Sequence, residues 1–151
     1  MDTLLMAIQQ KMADTVAELK YIDEDWGQLD LYGAEIPVQW PCALISFSGA
    51  SFSNLGTNVR AAPVNRQEGT ASVEIILATL KLTNSSHRAP QLQKNKAWEI
   101  WEIVKKVHEA LHGWNPEPCS GKLIRTNMGR VRRDDGIQEI RVTYTVGLHD
   151  C

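Results

Sequence analysis

Hydrophobic and polar residues alternate most cleanly near the end of the chain, where Ile140, Val142, Tyr144, Val146 and Leu148 interleave with Arg141, Thr143 and Thr145. A period of two predicts a strand over Ile137–Leu148 with one buried face. Gly121–Arg133 forms a second arm before it, and Asp134-Asp135-Gly136 between them is the chemistry of a hairpin turn. From Pro90 to Trp114 the period becomes helical. Trp98, Trp101, Val104 and Leu111 fall on one stripe, with Ile100, Ile103 and Val107 beside it. Pro90 suits a first helical turn and Gly113 a left-handed cap, so one tryptophan-rich helix is expected as the slab against which a sheet packs. Near the start, Asp2 or Thr3 caps a helix that presents Leu5, Ile8, Met12, Val16 and Leu19 on one face.

Two apolar runs lie between these helices. Val38–Phe47 reads as a buried strand whose first half is irregular or at an edge because of Pro41. Thr70–Leu82 is the second, with Val73, Ile75 and Leu77 opposing Glu74, Ile76 and Ala78, so both faces are partly covered. The stretch joining them, Gly49–Gly69, is rich in Gly, Ser and Asn and carries Arg60 and Arg66 without an acid before Glu68. It reads as a long functional or disordered loop. Asp23-Glu24-Asp25 lacks the spacing of a calcium loop and reads as a solvated turn. The expected fold is a single α+β domain over 1–151, in the order α-β-β-α-β-β. It has a mainly antiparallel, four-stranded sheet with the two helices on one face.

Composition narrows the function classes. At 151 residues the chain can bury a core without staples, and its net charge of -2 leaves any attraction to nucleic acid or membrane local. No apolar run approaches membrane-spanning length, and the opening MDTLLMAIQQKMAD is amphipathic, unlike a signal peptide. Cys42, Cys119 and Cys151 are odd in number and lack C-x-x-C spacing, so three free thiols in a reducing compartment are expected.

The sharpest chemical motif is His108-Glu109-Ala110-Leu111-His112, which matches the zinc-peptidase pattern H-E-x-x-H. That mechanism needs a third ligand and a helix continuing past the second histidine. Here the helix stops at Gly113, and the later glutamates are Glu117, between two prolines, and Glu139, in a strand. The alternative without metal places His108 on the apolar stripe, Glu109 in solvent and His112 in the last turn, where an imidazole favours the helix C-terminus. A zinc-dependent hydrolase using His108 and His112 therefore stays as the second reading. There is no nucleophile elbow, phosphate loop or cofactor motif, and no catalytic residue is expected. Lys122, Arg125, Arg130, Arg132 and Arg133 follow one another without an intervening acid, and at strand spacing several could face phosphates or an acidic protein.

The ending ALHGWNPEPCSGKL, followed by a basic-to-acidic hairpin and IQEIRVTYTV, resembles the tail terminator, or tail-completion, proteins of long-tailed bacteriophages and Mu-like prophages, including lambda-type minor tail proteins. An N-terminal helix, the run Pro41–Phe47, a long link and the strand Val73–Leu77 match the same pattern upstream. The resemblance implies a non-enzymatic structural protein of the virion, made in the host cytoplasm and placed at the tail-head junction. Such proteins form a ring, typically a hexamer, that caps the tail tube, ends its polymerisation and meets the head-tail connector protein, with DNA passing through the lumen. On that reading no cofactor or membrane is involved. Arg60, Asn65 and Arg66 in the link and Arg130, Arg132 and Arg133 in the hairpin contact the tube, a neighbouring subunit or the DNA path. Another neck or head-closure subunit is the nearest alternative within the resemblance.

Overall fold

A computed structural model of the chain describes residues 1–30, 35–57, 65–80 and 86–150. The elements are helix α1 (Asp2–Thr15), strands β1 (Tyr21–Glu24), β2 (Cys42–Thr57) and β3 (Asn65–Leu80), helices α2 (Gln91–Ala97) and α3 (Glu99–Leu111), and strands β4 (Ile124–Val131) and β5 (Ile137–His149). The strands form one sheet in the order β1-β2-β3-β5-β4. All neighbours are antiparallel except β1, which runs parallel to β2. The α+β class and the helix-covered face agree with the sequence pattern. The sheet is five-stranded and mixed, not four-stranded and antiparallel throughout.

Each face of the sheet has its own apolar cluster. Leu4, Ile8 and Met12 of α1 and Ile100, Ile103, Val107 and Leu111 of α3 pack on Ala43, Ile45, Val73, Ile75, Leu77, Val142 and Tyr144. On the opposite face, Leu29 and its partners Ile36, Val38 and Trp40 cover Cys42, Leu44, Ile76, Ala78 and Ile137. This double covering is why β2 and β3 read as continuous apolar runs near their middles.

Four expectations are corrected. The acidic stretch at Asp23 is not a free turn, because Asp23 and Glu24 belong to β1. Only Tyr21 and Ile22 anchor that strand, one to each apolar cluster, and two residues are too few to show a period. The loop at Gly49–Gly69 is instead a hairpin: β2 and β3 pair from Cys42↔Ala78 out to Thr57↔Asn65, and the tip at 58–64 lies outside the described residues. From Ser51 to Thr57 and from Asn65 to Glu68 both strands are exposed. With water on both faces, no alternation was selected, and strand and loop look alike in composition.

The single helix is broken at Trp98 (φ -97°, ψ 3°), and α3 buries Ile100, Ile103, Val104, Val107 and Leu111. At 100° per residue these five span a narrow arc, with Trp101 about 100° and Trp98 about 160° from Ile100. The tryptophans are correspondingly 37% (Trp101) and 49% (Trp98) exposed, so the core stripe is the one expected to flank them. The helix ends as anticipated, with His112 as the C-cap and Gly113 at φ 78°. Finally, Cys42 is a buried free thiol but Cys119 is disulfide-bonded, so the three free thiols are not all present; Cys151 lies outside the described residues. The cause is tertiary. A bridge between Ser120 and Leu148, and the His149 N–H donating to the Cys119 carbonyl at 2.9 Å, lay the end of the chain along residues 119–121.

Candidate functional site

The histidine pair sits where α3 ends against β4. Their rings stack with centroids 4.7 Å apart and planes 30° from parallel. His112 Nδ1 accepts the Arg125 backbone N–H at 3.2 Å, so that nitrogen ties the helix end to the sheet. His108 is partly buried, and its proton affinity is lowered by burial, then by the charges of Arg125 and His112. Glu109 is exposed, as expected. Among the described residues no three His, Cys, Asp or Glu side chains are grouped to hold a metal ion.

The six residues expected to make contacts separate into three environments. Arg60 lies outside the described residues. Asn65 and Arg66 stand on the far end of the β2–β3 hairpin. Asn65 Oδ1 accepts from Thr57 Oγ1 at 2.8 Å, and Arg66 Nε lies 3.3 Å from Asp150 Oδ2. Arg130 and Arg132 are exposed at the other end of the sheet. In register, Arg130 pairs with Ile140 and Ile140 with Leu77, which is twelve residues along β3 from Asn65. At about 3.4 Å per residue the two groups are roughly 40 Å apart, so the fold gives two separate contact regions.

Arg133 is different again. Its side chain is 11% exposed and donates to Asp30 Oδ1 (2.8 Å), to Asp135 Oδ2 (2.7 Å), to the Leu29 carbonyl (2.8 Å) and to Glu139 Oε1 (3.0 Å). Glu139, 1% exposed, also accepts from Arg141 Nε at 2.9 Å, and Arg141 reaches Glu74 at 3.1 Å. Arg133 therefore clamps the segment around Leu29 to the β4–β5 turn, and its donors are taken up within the chain. Its hydrogen bond holds the Asp135 carboxyl below its ordinary value. Sequence reasoning missed Glu139 because it falls in the polar register of β5. The one available sign was a charge on the face where Ile137 stands.

Exposed apolar residues also stand at each edge of the sheet. Beside edge strand β4, Ala97, Trp98, Trp101, Arg130, Gln138 and Ile140 line a cleft, with exposed Met128 on the same strand. Among the described residues no further strand pairs with the outer side of β4. At the opposite edge, Asp2, Leu5, Met6, Gln9, Glu24 and Ile45 line an open groove between α1 and β1, with Asp23 beside them. The β1 carbonyls there are taken: Ile22 accepts from Gln9 and Glu24 from Gln28, each at 2.8 Å.

No family model matches the sequence, and no curated protein sequence matches it. A solved structure does: a chain of the virion of a native gene transfer agent particle superposes with a TM-score of 0.56 at 10% identity, covering 97% of this chain and 94% of that one. At that identity the likeness is one of fold, and it runs from end to end: this α+β architecture is one that a virion particle also uses.

Proposed function

We propose that this protein is a structural, non-catalytic subunit of a phage-type particle, and specifically a tail terminator that closes the tail tube as a ring, typically a hexamer. The observation that carries the reading is the end-to-end fold likeness to a virion chain, joined to the sequence pattern of the ALHGW…IQEIRVTYTV ending. The geometry is favourable to it. The sheet has two terminal strands with different surfaces, which suits heterologous contacts around a ring. The exposed hairpin with Asn65 and Arg66 points away from the end carrying Arg130 and Arg132, so one end can meet the tube and the other the head-tail connector protein. Exposed arginines at either end can touch DNA in the lumen through its phosphates.

The test is assembly. Purified protein, alone or with polymerised tail tubes, is expected to form closed rings by electron microscopy. Particles made without it are expected to carry tails of uncontrolled length. A strictly monomeric protein together with normal tails in its absence overturns the proposal. Tails of normal length that fail to join heads would instead indicate another neck subunit.

A further inference from the structure

The two edges of the sheet are complementary in charge as well as in position. From Met12 to Val59 the chain contains one cation, Lys20, while Asp23, Glu24 and Asp25 crowd the β1 edge, and Asp2 of α1 joins them across the groove. From Pro118 to Arg133 it contains no acid, and Arg125, Arg130 and Arg132 lie along or just beyond β4. Each edge also has an apolar component on the helix-covered side: Leu5, Met6 and Ile45 at the acidic end, and Trp98, Trp101 and Met128 at the basic end. Met6, Trp98 and Met128 are among the exposed large hydrophobic residues.

We infer that the partner at each edge is a second copy of this chain, docked head to tail, the basic β4–α3 edge of one copy seated in the acidic α1–β1 groove of the next. This rests on the ring reading above and deepens it by naming the interface. Because the surfaces lie at opposite ends of one sheet, the contact is heterologous, and each subunit has one of each kind left to offer. Trp98 and Trp101 are the apolar anchors, and aromatic residues beside arginine are the composition that carries binding energy at protein interfaces. Arg130 and Arg132 face Asp2 and Glu24 across the joint and set its direction. The contact is made by side chains and not by adding a strand. The β1 carbonyls of Ile22 and Glu24 are already bonded, and at β4 the Arg125 N–H is held by His112 and the Met128 N–H by Asn127 Oδ1 at 2.9 Å.

The experiment uses two exposed charge-reversal variants of the full chain, one with Asp2→Lys and Glu24→Lys, the other with Arg130→Glu and Arg132→Glu. Each keeps one functional edge. By light scattering each alone is expected to be monomeric with a wild-type circular dichroism spectrum. An equal mixture is expected to assemble as wild type does, with the two variants alternating because both the native and the charge-reversed contacts are complementary, and the four substitutions combined in one chain also restore assembly. If wild type forms rings and either variant alone does so equally well, the interface is overturned and the ring reading stands. If the mixture reassembles but wild type grows into open polymers, the interface stands and the closed ring falls. Absence of any association, free or on tail tubes, overturns both.

Discussion

Replacing Arg133 by alanine tests the buried ion network most directly. The guanidinium is the link between Asp30, the Leu29 carbonyl, Asp135 and Glu139, and Glu139 is almost wholly buried. Removing one partner of a buried pair typically costs 3–5 kcal/mol, because the remaining charge is left without compensation. Arg141 Nε still donates to Glu139 Oε2, so the lower end applies, about 3 kcal/mol. With a urea slope of roughly 2 kcal/mol per molar, the midpoint of unfolding falls by about 1.5 M. Glu139→Gln removes the stranded charge while keeping its volume. In the double variant the two losses should therefore fail to add, with a coupling of about 1–3 kcal/mol. Equilibrium urea titrations of wild type, both single variants and the double variant complete the cycle. A loss below about 0.5 kcal/mol for Arg133→Ala, or strict additivity, would refute the reasoning and return Arg133 to the exposed basic surface.

Three further outcomes are expected. Ile103→Ala should cost about 2–5 kcal/mol by leaving a cavity under α3, a loss well below that in thermal and urea unfolding contradicting the burial described for α3, and Trp101→Ala should weaken self-association. His108 has a folded-state pKa below its ordinary 6.5, so the unfolded chain takes up the proton first; stability contributed by the neutral ring is complete above about pH 6.5 and declines as pH falls toward the lower folded value, and His108→Gln should flatten that part of a stability-pH curve. Burial pushes the Cys42 thiol up to about 12, so it should stay unreactive to a thiol reagent at pH 8 until the protein is unfolded; rapid modification of the native protein would show that the face around Leu29 opens.

Wherever one face of an element meets the core and the other meets water, its residues carried the pattern on their own. That is true of Ile140 to Leu148, of α1, of the α3 ending at Gly113, and of the turn at Asp134-Asp135-Gly136, and from them the α+β class was legible. Three things were settled only by packing. The exposed half of the β2–β3 hairpin has water on both sides, so nothing in its Gly, Ser and Asn residues distinguishes a ladder from a loop. The tryptophan stripe is as apolar as its neighbour, and which stripe faces the sheet depends on the break at Trp98 and on where α1 leaves room. Arg133 and Arg130 look equivalent in sequence. Their fates diverge because residues far upstream, Leu29 and Asp30, fold back over one of them, and local pattern cannot register a partner about a hundred positions away.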